Sequence, residues 1–246
     1  MCIRDRSVSN DAPVQSSIEA SALAYTENDG SQVVTSSLTL NDFDDINLES
    51  ATISISGNYQ AGEDTLAFTD TASIAGIWNE ATGELTLTGS DTLEAYQAAL
   101  RSVTYANNSD NPDTSTRTID FVVNDGDLSS TVQSRDVDII AVNDVPEQSA
   151  IEGTVLSYTE NDGAAALTAS IALADLDDTN LEGAVITIGS GYQPGEDRLV
   201  FADTATITGV WNASTGQLTL SGTDSVAAYQ AALLSLIHIS EPTRPY

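Results

Sequence analysis

Ala51-Thr52-Ile53-Ser54-Ile55-Ser56 sets an apolar side chain at every second position, the two-residue period of a half-buried β-strand. The same alternation runs through Glu84-Leu85-Thr86-Leu87-Thr88, Thr118-Ile119-Asp120-Phe121-Val122-Val123 and Asp136-Val137-Asp138-Ile139. Turn-forming groups separate these runs: Gly62-Glu63-Asp64, Thr82-Gly83, Asn111-Pro112-Asp113 and Asn124-Asp125-Gly126-Asp127. Only Leu93 to Ser102 reads as a helix, with Leu93, Tyr96 and Leu100 at helical spacing. So many short alternating strands in about 130 residues predict an all-β fold, an antiparallel β-sandwich. Trp78 and Trp211, beside apolar strand positions, read as packing residues rather than ligand platforms.

The pattern occurs twice. Tyr25-Thr26-Glu27-Asn28-Asp29-Gly30 returns 133 residues later as Tyr158-Thr159-Glu160-Asn161-Asp162-Gly163. Without a gap, the same spacing carries Asp42-Phe43-Asp44-Asp45 onto Asp175-Leu176-Asp177-Asp178 and Trp78-Asn79 onto Trp211-Asn212. It also carries Tyr96-Gln97-Ala98-Ala99-Leu100 onto Tyr229-Gln230-Ala231-Ala232-Leu233, and Asn10-Asp11 onto Asn143-Asp144. A period this long gives each repeat its own core, so the chain reads as tandem β-sandwich domains.

Both ends read as something other than protein. Met1 to Arg6 back-translates as ATGTGTATAAGAGACAG and Leu234 to Ile239 as its reverse complement, CTGTCTCTTATACACAT, the pattern of a sequencing-library adapter read in frame. Residues 1–6 and 234–246 are therefore set aside as adapter-derived. Residues 7–142 form a complete repeat and residues 143–233 a truncated one that lacks the counterpart of Arg101 to Val142. The expectation is an unpaired strand edge and uncovered core residues in the second copy.

Over 246 residues, 37 Asp and Glu face 7 Arg and no Lys, for a net charge of −30, while a 41% hydrophobic fraction leaves enough apolar surface for a core. Outside the two ends, 35 acids face four arginines, Arg101, Arg117, Arg135 and Arg198, and Cys2, His238 and Met1 drop out. Disulfides, Cys/His zinc sites and thiol or histidine catalysis are excluded on that count. The negative field repels nucleic acid and anionic membrane, and makes cations the natural small partners.

The acids gather in turns and at the repeat boundary. Asp42-x-Asp44-Asp45-x-Asn47 packs four oxygen-bearing side chains into six residues and recurs as Asp175-x-Asp177-Asp178-x-Asn180. Ca²⁺ takes six to eight hard oxygen ligands, and Asp-x-Asp in a turn offers two carboxylates on one side. A solvated acidic turn that serves solubility is the competing reading. An EF-hand is not supported, because the sixth position from Asp42 is Asn47 and the twelfth is Ile53.

These residues resemble the cadherin-like, immunoglobulin-type modules strung through giant bacterial surface proteins, including type I-secreted biofilm adhesins. Glu27-Asn28 and Glu160-Asn161 are similar to the Glu-Asn near a cadherin's first strand, and Asp42/Asp44 and Asp175/Asp177 to its Asp-x-Asp turn. Asn124-Asp125-Gly126 is similar to its late Asp-Gly loop, and Asn10-Asp11-Ala12-Pro13 and Asn143-Asp144-Val145-Pro146 to its linker. The resemblance implies a Ca²⁺ junction built from Glu27, Asn143, Asp144, Asp175 and Asp177, and a preceding one with Asp125, Asn10, Asp11, Asp42 and Asp44. Where cadherins carry Asp-Arg-Glu, this sequence has Ser90-Asp91-Thr92, which implies fewer or weaker ions.

The function implied is that of a calcium-rigidified extender repeat of an extracellular, cell-surface adhesin, with neighbouring repeats and calcium ions as partners and matrix polysaccharide engaged through other domains. The alternative is a Ca²⁺-dependent carbohydrate-binding module that uses an exposed Tyr59 or Tyr192. An enzyme is not expected, since carboxylate pairs of the glycosidase kind arise here from composition alone.

Overall fold

The computed structural model describes residues 9–159 and 163–240, so residues 1–6 and 241–246 lie outside it. The chain divides into two compact units between Val142 and Asn143.

The first unit runs β1 (Val14–Ser16), β2 (Leu23–Thr26), β3 (Gln32–Val33), β4 (Thr39–Asn41), β5 (Asn47–Gly57), β6 (Asp64–Ala67), β7 (Ala75–Asn79), β8 (Glu84–Thr92), α1 (Leu93–Ser102), β9 (Thr104–Asn107), β10 (Arg117–Asn124) and β11 (Gln133–Ile140). A six-stranded sheet, ordered β2-β11-β10-β5-β8-β7, faces a three-stranded sheet, β3-β9-β6, with β1 and β4 paired beside them. The register puts Ile53 of β5 opposite both Phe121 of β10 and Leu85 of β8, so the alternating residues share one face. That face meets Leu66, Tyr105 and the helix residues Tyr96 and Leu100 in a single core. The architecture is the expected all-β sandwich with one departure: β2 runs parallel to β11. Strands that come from opposite ends of a repeat need no hairpin between them, so turn chemistry does not dictate their direction.

Helix α1 is opened by Thr92, whose Oγ1 accepts from the Ala95 N–H at 3.2 Å. Its Tyr96 hydroxyl donates to the Gly89 carbonyl at 2.6 Å. Gly89 has φ +130° and lies so close to the Ser73 carbonyl that a Cβ would meet it at 1.9 Å, so only glycine fits there.

One ion pair is fully enclosed in this unit. Arg117 Nε donates to Asp64 Oδ2 at 2.8 Å, and neither side chain is exposed. The Tyr105 hydroxyl and the Asn107 amide donate to Asp64 Oδ1 at 2.6 and 2.8 Å, and the Gln60 N–H donates to Oδ2. Burial, followed by the bond to Asp64, pushes the Tyr105 hydroxyl far above its ordinary range.

The second unit runs β12 (Glu147–Ser149), β13 (Ala165–Ala166), β14 (Ala172–Ala174), β15 (Asn180–Thr187), β16 (Asp197–Val200), β17 (Thr208–Asn212), β18 (Gln217–Ser225), α2 (Val226–Leu234) and β19 (Ile237–Ser240). Its sheets are β12-β14, β13-β19-β16 and β15-β18-β17. They reproduce the first unit less β2, β10 and β11, and β15 is an edge where β5 is central. Residues read as adapter at the sequence level take on structure here. Helix α2 runs through Leu234, and β19 pairs with β16 as β9 pairs with β6. The physical reason is local: Leu236 and His238 stand two apart, as Val103 and Tyr105 do, and that spacing fills the same inward positions.

Replacing Arg117 with Met leaves the Asp64 carboxylate buried without its counter-charge, which costs about 3–5 kcal/mol. Urea unfolding followed by tryptophan emission should show that loss for Arg117→Met, and the pair Asp64→Asn with Arg117→Met should regain part of it.

Candidate metal centres

Asp42 opens a tight turn after β4 by folding its carboxylate back on its own backbone. Its Oδ1 accepts from the N–H groups of Asp44 and Asp45, both at 3.1 Å. The Asp44 carboxylate accepts from the Asp11 N–H at 3.1 and 3.2 Å. Across the same end of the sheet, Asp125 Oδ1 accepts from the N–H groups of Asp127 and Leu128 at 2.8 and 2.7 Å, and its Oδ2 accepts from the Asn10 amide at 3.0 Å. Partial desolvation raises the Asp125 carboxyl, but the N–H donors and Asn10 outweigh it and hold the group below its usual range. Carboxylate oxygens of Asp42, Asp44 and Asp45 approach within 4.8 Å of one another. Desolvation, then the charges of Asp44, Asp125, Asp42 and Asp127, push Asp45 upward. Asn10, Asp11, Asp42, Asp44 and Asp125 are thus gathered at one end of the first unit, with Asp45 and Asp127 added.

Glu27 sits at the other end of the same sheet, beyond Arg117 where β10 begins. The parallel pairing of β2 on β11 delivers it there: its N–H donates to the Ile140 carbonyl at 2.9 Å, and its Oε2 accepts from the Val142 N–H at 2.8 Å. Glu27 is only 6% exposed, and its Oε1 is buried with no hydrogen-bond partner. A carboxylate oxygen of Asp110 lies within 4.8 Å. Sequence reasoning missed Asp110, which stands next to a turn read only as Asn111-Pro112-Asp113; nothing in the spacing ties it to Glu27.

Asn143, Asp144, Asp175 and Asp177 belong to the second unit. The Asp144 N–H donates to Asp177 Oδ2 at 2.9 Å, repeating the Asp11–Asp44 contact, and the Asn143 amide donates to the Asp144 carbonyl at 2.7 Å. Asp175 Oδ1 accepts from the Asp178 N–H at 3.0 Å. Carboxylate oxygens of Asp175, Asp177 and Asp178 lie within 4.8 Å of one another, and Asp177 Oδ1 is buried without a partner. The Asp144 N–H, more than any other group, holds the Asp177 carboxyl below its usual range. Glu160-Asn161, the second copy of Glu27-Asn28, lies outside the described residues.

The described arginines of the first unit are engaged elsewhere. Arg101 donates to the Leu38 and Ser37 carbonyls, Arg117 pairs with Asp64, and Arg135 pairs with Glu19 and donates to the Val34 carbonyl. Asp91 is also taken, accepting from the Ser73 hydroxyl and the Thr92 N–H, which together lower it. The tyrosines are not free platforms. Tyr59 is half-buried, donates its hydroxyl to the Glu80 carbonyl, packs edge-on to Trp78 at 6.1 Å, and has Gly83 against its ring. Tyr192 repeats this with Ala213, Trp211 and Gly216.

No family model matches the chain. Over 91 residues it is 43% identical to Halomucin of Haloquadratum walsbyi, a match that covers 35% of this chain and 1% of that protein's length. A solved structure, the C-terminal domain of the AgI/II polypeptide BspA of Streptococcus agalactiae, aligns over 93% of this chain and 91% of its own at 11% identity, with a TM-score of 0.22. Among the described residues, no helix is long and apolar enough to cross a membrane.

Two outcomes follow from the charges. Asp45→Asn removes a like charge without removing a hydrogen bond and should raise the melting temperature in chelator. Acid should then unfold both units: Glu19, desolvated but overruled by Thr35 and Ser36, and Glu152, bound chiefly by Thr168, each drop from 4.5 to about 2. Stability from a lowered carboxyl is full above 4.5 and fades as pH falls toward 2. A thermal-unfolding series against pH reads both.

Proposed function

We propose that this chain is a pair of structural repeats from an extracellular, adhesin-like surface protein, and that its turn carboxylates hold Ca²⁺. One observation carries the calcium reading. Glu27, Asp42 and Asp177 each bind a backbone N–H with one carboxylate oxygen and bury the other with no partner, beside a second carboxylate within 4.8 Å. A buried carboxylate oxygen without a donor costs several kcal/mol. A hard divalent cation with several oxygen ligands removes that cost and the repulsion together.

Asp42, Asp44, Asp45 and Asp125 would hold an ion at one end of the first repeat, Glu27 and Asp110 would contribute at the other, and Asp144, Asp175 and Asp177 would serve in the second. Calcium would supply charge neutralisation, and the backbone donors keep the carboxylates in place to receive it. Because Glu27 grips the Val142 N–H and Asp177 grips the Asp144 N–H, ordering either carboxylate orders the Asn143–Pro146 linker on one side. The extender role rests on that coupling, on the tandem repeat and on the cadherin-like motifs, and gives the chain no chemistry of its own. The carbohydrate-module alternative needs an exposed tyrosine, and both candidates are tied down.

In millimolar Ca²⁺, a site at ten times its Kd adds about 1.4 kcal/mol, a shift of a few degrees for a domain of this size. The melting temperature should rise, return on chelation, and rise less in Asp42→Asn and Asp177→Asn; proteolysis within Asn143–Pro146 should slow. If molar NaCl reproduces the whole effect of calcium, the turns serve only solvation and the reading fails.

A further inference from the structure

Asp110 reaches Glu27 from an exposed connection, residues 108–116 between β9 and β10, so its place is set by how that backbone is held. Both ends of the connection are fastened to one enclosed carboxylate. At the near end Asn107 closes β9: its amide donates to Asp64 Oδ1 at 2.8 Å, and its own Oδ1 accepts from the Ser109 N–H at 2.9 Å. The Asn108 N–H donates to the Glu63 carbonyl at 3.0 Å. At the far end Arg117 opens β10, with Nε donating to Asp64 Oδ2 at 2.8 Å. Its Nη1 donates to the Ser115 carbonyl at 2.5 Å and stands 3.7 Å from Asp113 Oδ1. Asp64 thus grips the two ends of the connection, one with each carboxylate oxygen.

Glu27 is tied to the same point. Tyr25, on β2 just before it, donates its hydroxyl to the Asn107 carbonyl at 3.0 Å and accepts from the Asn107 N–H at 3.1 Å. Its ring packs edge-on to Tyr105 at 5.2 Å, and the Tyr105 hydroxyl donates to Asp64 Oδ1. Asn107, itself buried, is therefore fixed from β2 by Tyr25 and from β6 by Asp64. The approach of the Glu27 and Asp110 carboxylates to within 4.8 Å follows from these anchors. Like charges this close repel, and a connection without anchors would turn Asp110 out to water.

We infer that the buried Asp64–Arg117 pair is the positioning group of the Glu27–Asp110 cation site, holding the connection 108–116 so that Asp110 stands beside Glu27 before an ion arrives. The inference rests on the calcium reading of Glu27, whose buried Oε1 has no hydrogen-bond partner, and adds to it the groups that set the distance to the second carboxylate. The pair acts through Asn107 and the Ser115 carbonyl, and not as a ligand. A connection already fixed takes up a cation without an ordering cost, and outer contacts that orient metal-binding carboxylates are worth about 10–100-fold in affinity. The Asp42 turn is built on its own N–H groups and owes the pair nothing directly. A pair that only filled the core would leave the two ends of the unit equally affected by its loss.

The test follows backbone amides by two-dimensional NMR as Ca²⁺ is added to the isotope-labelled full chain. Ser109 and Asn111 report the Glu27 end, and Asp44 and Asp45 report the Asp42 turn. In the unchanged chain both sets should shift, and Glu27→Gln should remove the shift at Ser109 and Asn111 alone. In the chain carrying Asp64→Asn with Arg117→Met, which leaves no unpaired charge in the core, the midpoint at Ser109 and Asn111 should rise about tenfold or more while that at Asp44 and Asp45 holds. Without calcium, amide hydrogen exchange across residues 108–115 should quicken in the same chain. Because that chain can fail to fold, the curves are also taken on Tyr25→Phe, which keeps the ring and every charge and cuts only the hydroxyl link to Asn107; its midpoint at Ser109 and Asn111 should rise about threefold or more. An unchanged midpoint there in the folded pair variant, or failing that in Tyr25→Phe, makes the pair a core contact only and overturns the inference, as does an equal rise at both ends. A shift at Asp44 and Asp45 without one at Ser109 and Asn111 in the unchanged chain overturns it and leaves calcium at the turn. No shift at either end overturns the calcium reading itself, and this inference with it.

Discussion

A carboxylate crowded among other carboxylates can be held by a cation or by backbone N–H groups, and this chain has almost no cations of its own to use. The described arginines of the first unit are committed to Asp64, to Glu19 and to main-chain carbonyls. The acidic turns are built from N–H donors instead: Asp44 and Asp45 to Asp42, Asp11 to Asp44, Leu128 to Asp125, Val142 to Glu27 and Asp144 to Asp177. An N–H donor fixes a carboxylate without cancelling its charge. These contacts therefore set the shape of the turns and the ends of the strands, and leave the repulsion in place. Desolvation first, and then that repulsion from Asp44, Asp125, Asp42 and Asp127, push the Asp45 carboxyl upward.

The same constraint explains why one carboxylate behaves differently. Asp64 is the enclosed acid, and it alone receives an arginine, a tyrosine hydroxyl, an amide and a backbone N–H. Deep in a sandwich a carboxylate cannot borrow water, so every lone pair must be answered by protein. At the ends of the sheets water and ions are within reach, and the acids there are left half-answered. The counter-charge separates the two kinds of acid: Asp64 is enclosed with Arg117, whereas Glu27, also buried, is held by the Val142 N–H with its other oxygen left over.

The strands were legible because alternation is a local property: Ala51 to Ser56 and Thr118 to Val123 show which face is inward without knowledge of their partners. Helix α1 was legible for the same reason, from Leu93, Tyr96 and Leu100. The calcium candidates were half-legible. Asp42, Asp44, Asp175 and Asp177 announce themselves by crowding in sequence, and the repeat brings in Asn10-Asp11 and Asn143-Asp144. Asp110 does not, because only the fold sets it beside Glu27. The parallel β2–β11 pair and the Arg117–Asp64 bond were closed to sequence reading as well, since both join segments whose separation follows no rule of spacing. Tyr59 illustrates the reverse: it entered as the exposed platform of the carbohydrate alternative, and the bond to the Glu80 carbonyl and the contact with Gly83 tie it down instead.

The two units separate what the motif needs from what the core needs. Among its described residues the second unit shows no counterparts of β2, β10 and β11, yet the Asp144–Asp177 contact and the Asp175–Asp178 turn repeat the Asp11–Asp44 contact and the Asp42–Asp45 turn, while the buried free oxygen falls on Asp177 and not on Asp175, the counterpart of Asp42. The Asp-x-Asp turn itself therefore needs only β14, the start of β15 and the stretch before β12, whereas Asp125 of the first unit's acidic end comes from the connection between β10 and β11. What the missing strands change is the core, where Ala184 and Ile186 are partly uncovered and Asp197 has a histidine where Asp64 has a tyrosine hydroxyl and an arginine. The turn geometry and core closure are thus set by different strands, and the connection between β10 and β11 joins the two through Asp125.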